Sequence, residues 1–219
     1  DLHIEVVKTL LRQNGLSPID IDVIGFHGQT LLHNPGEGWS WQIGDGNQLS
    51  KELGIQVVSD FRKYDVSNGG QGAPLVPVYH KAVFSGRGVK YPIGLINFGG
   101  VANVTWIGSD KTDDLIAFDT GPANALLDDW VRRNTDYIYD KDGIFSQHGT
   151  IHQGLIEKWI NNDYFKQPPP KSLDRDYFNV DEVNSLSLED GAATLAGFSV
   201  ACLKEAINIY PKKVNNWYV

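Results

Sequence analysis

The chain has 219 residues, 41% of them hydrophobic and 21% charged, which is the composition of a folded globular protein with one large core or two small ones. Nineteen Lys and Arg stand against 27 Asp and Glu, a formal charge of -8, which argues against a nucleic-acid groove or an anionic membrane surface as partner. No apolar run approaches the roughly 20 residues that span a bilayer, and a single cysteine excludes an intrachain disulfide.

In chain order, Ile4, Val7 and Leu11 share one face of an opening helix that Gly15 ends. Ser17-Pro18 reads as a cap and first-turn pair, and Val23 to Phe26 as a strand ending in the polar run His27-Gly28-Gln29-Thr30. A short strand is expected over Trp39 to Gly44, a helix over Gln48 to Leu53, and a strand from Ile55 to Ser59 that stops at Asp60. Phe61-Arg62-Lys63-Tyr64-Asp65 and the loop Asn68-Gly69-Gly70-Gln71-Gly72-Ala73-Pro74 follow, then a helix from Leu75 to Phe84 with Pro77 near its first turn. Ser85-Gly86-Arg87-Gly88 is the most linker-like stretch, so a domain boundary is placed near Lys90, dividing residues 1–90 from 91–219.

The second part is organised around Ile93 to Trp130. Leu95 to Phe98 and Val101 to Ile107 are β-rich runs meeting at Gly99-Gly100, a hairpin signature. After a polar turn, Leu115 to Phe118 forms a third run ending on Asp119-Thr120-Gly121, and Pro122 opens a helix carrying Leu126, Leu127 and Trp130. Asp119 is thereby expected at the carboxyl end of a strand beside a helix amino terminus, where open α/β sheets bind ligands and where backbone N–H groups receive anions. Such a carboxylate suits a base beside a phosphoryl group; capping of the helix through Thr120 and Gly121 is the blander alternative. Further on come a turn at Tyr139 to Gly143, a helix over Thr150 to Trp159, an extended loop at Gln167 to Lys171, a long apolar helix from Leu188 to Ile209 and a strand-like end at Trp217 to Val219. Alternating strands and helices give an α/β class. The absence of methionine and the helical opening give the expectation of an internal piece of a longer protein.

Three strand ends carry polar clusters: His27 to Thr30, Asp60 to Asp65 and Asp119 to Asn124. One such cluster is ordinary loop chemistry, and three are what a cleft at one sheet edge produces. Arg62 between Asp60 and Asp65 reads either as a local ion-pair cluster or as an orienter of a carboxylated or acetylated substrate. The glycines from Gly69 to Gly72 lack the Lys-Ser/Thr of a P-loop. His148 and His152 have zinc-compatible spacing without a third ligand, Asn103-Val104-Thr105 is a chance sequon, and Cys202 sits in an apolar helical pattern as an inert thiol.

Taken together, these motifs resemble the anhydro-N-acetylmuramic acid kinase family. The resemblance rests on His27-Gly28-Gln29-Thr30, Asp60-Phe61-Arg62 with Asp65, Gly69 to Pro77, Asn97-Phe98-Gly99-Gly100 with Asn103, Phe118 to Pro122 with Asn124, Tyr139 to Gly143 and Pro169 to Ser172. It covers nearly the whole chain in family order. It implies an actin-like (ribonuclease H-like) sugar-kinase fold, two domains around an ATP cleft, of which this chain carries part. The implied reaction opens the anhydro ring and phosphorylates the freed hydroxyl, using ATP and Mg2+, in the cytoplasm. By resemblance, Asp119 is the base that activates water. His27, Gly28, Gln29, Asp60, Arg62, Asp65, Gly70 and Pro74 face the amino sugar, while Asn97, Gly99, Gly100, Asn103, Thr120, Gly121 and Asn124 lie toward the nucleotide. No metal-ligating residue is assigned, and a homodimer is left open. A Gly-Thr-Ser-x-Asp-Gly phosphate loop, a triple-glycine adenosine loop and a later glutamate of the family have no counterpart here, so the stretch alone is expected to be a poor kinase or none. The rival expectations are a sugar-binding or regulatory module without ATP chemistry, and a glycoside hydrolase with a second carboxylate roughly 5–10 Å from Asp119.

Overall fold

The structure is a computed structural model that describes residues 2–111 and 114–219. Part of the polar turn expected after Ile107 falls on residues 112–113, outside the described residues. The chain divides into two compact units, Asp1–Leu75 and Val76–Val219. This division precedes the boundary expected near Lys90, because the helix before the linker packs on strands of the second unit.

In the first unit, α1 (Leu2–Gln13) buries Ile4 and Leu11. These pack with Leu49, Leu53 and Ile55 into a small core. The helix α2 (Gly46–Leu53) starts at Asp45, whose carboxylate accepts from the N–H groups of Asn47 at 2.9 Å and Gln48 at 3.0 Å. It stops at Gly54, where a φ of 67° suits the left-handed cap. Two short strands, β1 (Ile24–Gly25) and β4 (Val57–Val58), pair in parallel. Between them in sequence runs an antiparallel hairpin of β2 (Gln29–Asn34) and β3 (Trp39–Ile43). The polar residues Gln29 and Thr30, read from sequence as loop, are therefore the start of a strand. Likewise, residues Phe61 to Asp65 open α3 (Phe61–Ser67), which buries only Val66 and so shows no apolar periodicity.

In the second unit, α4 (Pro77–Phe84) precedes a four-stranded sheet of order β7-β6-β5-β8. Its strands are β5 (Ile93–Phe98), β6 (Val101–Ile107), β7 (Leu115–Pro122) and β8 (Asn216–Tyr218). The first three form the expected antiparallel meander about Gly99-Gly100, and β8 joins β5 in parallel. Pairing of β6 with β7 slips by one residue between Ala102 and Asn103, leaving Thr120 as the extra residue of a bulge. The row Ile96, Val104 and Phe118 packs with Ala206 and Leu203 of α7 (Leu188–Ile207). On the other face His80 of α4 meets Thr105, with Nδ1 3.2 Å from the hydroxyl.

A larger core lies between α7, α5 (Asn124–Asn134), α6 (Gln153–Ile160) and the segment after α6; it holds Trp130, Trp159, Tyr164, Phe178 and Phe198. No helix among the described residues is long and apolar enough to cross a membrane.

One polar tie at the solvent edge of this core is sensitive to acid. Glu182 accepts from Lys158 Nζ and, at 3.1 Å, from Trp159 Nε1, and these bonds hold its carboxyl down at about 2 from a usual 4.5. A depressed folded value contributes stability above the unfolded value and loses it as pH falls through the folded one. Glu182→Gln should therefore melt below the wild type at neutral pH, with the gap closing between about pH 4.5 and pH 2. Melting temperatures across that range check it.

Candidate functional site

Each unit carries its own polar cluster. In the first unit, His27 follows β1 and bridges two groups. Its Nε2 receives the Arg62 Nε–H at 2.9 Å, and its Nδ1 lies 2.8 Å from the Gly28 carbonyl. A guanidinium only donates, so Nε2 is the acceptor and the ring proton sits on Nδ1, donated to Gly28. The imidazole is thus held in one orientation and fixes the Arg62 fork from α3.

Gly28 has a φ of 70°, and a Cβ there would lie 2.6 Å from the Ile43 carbonyl, so the chain passes β3 closely only because no side chain intervenes. Asp60 adopts a left-handed φ of 60°, uncommon for a non-glycine residue. A cleft of about 250 Å³ opens between these groups, lined by His27, Gly28, Asp60, Ser59 and Gln42, and by Gly44 to Asn47 at the start of α2. Asp45, Gln42 and Ser59 were not singled out in the sequence, where isolated polar residues beside glycines carry no signal.

Asp65 faces the glycine loop instead of this cleft. Its Oδ2 accepts from the Gly72 N–H at 2.7 Å, and a Cβ on Gly70 would collide with that oxygen at 2.1 Å. Asp65 and Gly70 are therefore one fitted pair that shapes the loop leading to Pro74. Gln29 enters β2, where its Nε2 reaches the Thr30 carbonyl at 3.4 Å.

In the second unit, Asn97, Asn103 and Asp119 are direct cross-strand partners on β5, β6 and β7. Side chains of directly paired residues share a sheet face, so a carboxylate and two amides stand in one row. The strand expected to end at Phe118 runs on through Asp119 to Pro122, and Asp119 is 6% exposed instead of standing free at a strand end. The cause is the segment 171–173, which runs along the outer edge of β7. Asp119 N–H donates to the Lys171 carbonyl at 3.1 Å, and the Leu173 N–H donates to Asp119 Oδ2 at 2.8 Å. At the same edge the Tyr164 hydroxyl donates to the Asp119 carbonyl.

The hairpin and the helix start interlock. Gly100 O accepts from the N–H groups of Ala123 at 3.0 Å and Ala125 at 3.2 Å, and Gly99 O accepts from that of Asn124 at 3.0 Å. Asn124 Nδ2 adds a bond to Phe98 O at 2.9 Å. These N–H groups at the start of α5, expected from sequence to meet an anion, are instead spent on the turn. Thr120 is buried with its hydroxyl donating to the Ala102 carbonyl at 3.3 Å, and Gly121 lies against Cys202. Among the described residues no group of three or more His, Cys, Asp or Glu is placed to hold a metal. His148 ends a 3-10 turn, and His152 Nε2 lies 3.8 Å from Asp190 Oδ2.

The family model described as anhydro-N-acetylmuramic acid kinase matches residues 1–219. The chain belongs to that family. It is 48% identical over 211 residues to the anhydro-N-acetylmuramic acid kinase of Zymomonas mobilis, covering 96% of this chain and 57% of the relative. The kinases of that name from Methylobacterium nodulans and Paramagnetospirillum magneticum are 48% and 47% identical, covering 100% and 99% of this chain. The chain spans 58% and 61% of those relatives, so less than two thirds of a family member's length is present. The stretches on which the sequence resemblance rests fall in both units: the His27 and Arg62 cluster in the first, the Asn97, Asn103 and Asp119 row in the second.

Proposed function

We propose that the full-length protein is an ATP-dependent kinase that hydrolytically opens 1,6-anhydro-N-acetylmuramic acid and phosphorylates it to N-acetylmuramic acid 6-phosphate, a step of cell-wall recycling in the cytoplasm. The proposed architecture is an actin-like, ribonuclease H-like sugar kinase of which these two units are part. The observation that carries the reading is the family match along all of residues 1–219, with Asp119 standing in the amide row of Asn97 and Asn103.

In this reading Asp119 takes a proton from a water molecule as the water oxygen attacks the anomeric carbon. The bond from that carbon to the bridging oxygen breaks, and its electron pair stays on the oxygen at C6. That oxygen attacks the γ-phosphorus of ATP, the β–γ bridging bond breaks, and ADP leaves. The small exposure of Asp119 suits a base that receives one water molecule and is shielded from bulk solvent. Charge building on the phosphoryl oxygens is met by positioned donors, for which Asn97, Asn103 and the Gly99-Gly100 backbone are the candidates. Thr120, Gly121 and Asn124 brace that hairpin. His27, Gly28, Gln29, Asp60 and Arg62 supply the sugar contacts, with Arg62 held by His27 toward the acidic and acetylated groups of the muramic acid. Asp65, Gly70 and Pro74 shape the adjoining loop. Magnesium enters with the polyphosphate, as it does where it keeps much of its water shell.

Turnover in ¹⁸O-labelled water tests the scheme. The label should enter the anomeric hydroxyl and not the phosphate, with one ADP formed per sugar 6-phosphate. Release of unphosphorylated sugar without ATP consumption would turn the reading into a hydrolase, and sugar binding with no ADP formed would turn it into a binding module.

A further inference from the structure

We propose that Lys171 is a positioning residue for Asp119, acting through Tyr164 and the backbone of residues 171–173. The inference rests on the reading of Asp119 as the base. Lysine is almost never buried without a specific partner, yet Lys171 is 5% exposed. Its Nζ donates to the Tyr164 carbonyl at 2.9 Å and sits 4.5 Å from the centre of the Tyr164 ring, within cation–π range. The Phe118 ring, one residue before Asp119, is 5.6 Å away.

These contacts close a circuit. Tyr164 holds the Asp119 carbonyl through its hydroxyl, Lys171 holds the Asp119 N–H through its own carbonyl, and Leu173 holds the carboxylate. Lys171 Nζ ties the Tyr164 end of this brace to the 171–173 end. Burial pulls the Lys171 pKa down and pushes the Tyr164 pKa up, so both groups are removed from water and set by the geometry around them. A strut of this kind fixes where the carboxylate oxygens point without touching the substrate. Supporting groups that orient a reactive one commonly carry a 10–100-fold effect, as around metal sites.

The test uses the full-length protein with Lys171→Met, Lys171→Arg and Tyr164→Phe, and Asp119→Asn as control. Lys171→Met keeps the aliphatic stem and removes the ammonium. It should lower kcat about 10–100-fold, while sugar KM and calorimetric Kd change less than about twofold. Lys171→Arg should recover part of the loss. Tyr164→Phe should lower kcat in the same direction, and the Lys171→Met/Tyr164→Phe double variant should lose less than the product of the two single losses, because both act through one carboxylate. A wild-type kcat in Lys171→Met overturns the proposal, as does a loss shared by kcat and KM that arginine does not relieve. Should Lys171→Met not fold, an unchanged kcat in Tyr164→Phe overturns it equally. Retained turnover in Asp119→Asn would instead remove the base reading itself, whereas an inactive Asp119→Asn beside a fully active Lys171→Met would remove only the strut.

Discussion

Asp119→Asn should reduce turnover by about 10²–10⁴-fold, the range a positioned general base contributes, and leave the fold and sugar binding in place. The asparagine carbonyl can still accept the Leu173 N–H that Asp119 Oδ2 now accepts at 2.8 Å, so the brace along the edge of β7 keeps its bond. What is lost is the negative charge that takes a proton from water. Asp119→Ala separates the two effects. It removes the acceptor as well, and a buried N–H left without a partner costs about 1–3 kcal/mol. The alanine variant should therefore be inactive and less stable, and the asparagine variant inactive only. Single-turnover assays with calorimetry on the sugar decide it. Turnover within a few-fold of wild type in Asp119→Asn would show that the carboxylate does not serve as the base.

Phe198→Ala carries the largest expected effect on stability. Phe198 is fully buried at the centre of the α5–α6–α7 core. Its ring lies 5.1 Å from Trp159, 5.5 Å from Phe178 and 6.5 Å from Phe165, so each neighbour loses a packing face when it is removed. Phenylalanine-to-alanine truncations at such sites cost about 3–5 kcal/mol through lost transfer energy and the cavity left behind. That corresponds to a fall in melting temperature on the order of 10 °C for a chain of this size. Phe198→Leu, which keeps most of the volume, should lose clearly less. Thermal and denaturant melts of both variants give the comparison, and a loss below about 1 kcal/mol in the alanine variant would mean that the core collapses into the space.

The long-period signals in the sequence were the ones that reported the fold. The stripe of Ile4 and Leu11, the apolar run from Leu188 and the two β-rich runs about Gly99-Gly100 became α1, α7 and the β5–β6 hairpin, because each buries a face that its spacing announces. The polar elements were hidden. Strand β2 is Gln-Thr-Leu-Leu-His-Asn, held in place by pairing with β3; β3 itself was read as a strand, but no local pattern reveals that β2 pairs with it. Helix α3 has one buried side chain and so no amphipathic stripe. In the site, the residue types were legible from motif spacing, and the wiring was not. Nothing local says that Asp65 turns to Gly72, that α5 gives its first donors to Gly99 and Gly100, or that Lys171 leaves solvent to reach Tyr164. These depend on which distant segment covers an edge. Lys171 did lie in the stretch read as an extended loop, but that stretch bends at Gln167, Pro169 and Pro170, and nothing local signals where the lysine goes.

The unmatched Thr120 on β7 sets a parity. Below it, residues count off the sheet in one phase with β6, and above it in the other. Asp119 belongs to the lower count, whereas Gly121 and Pro122, which lead into α5, belong to the upper. Because Gly121 pairs with Ala102 and Asp119 with Asn103, the two residues face opposite sides of the sheet although they stand two apart in sequence. Ironing out the bulge at constant length would put Thr120 opposite Ala102, in the place beside Cys202 that only a glycine fits, and turn Gly121 to the face of Asp119. The extra residue is thus what lets a carboxylate and a close-packed glycine, two positions apart on one strand, serve opposite faces of the sheet.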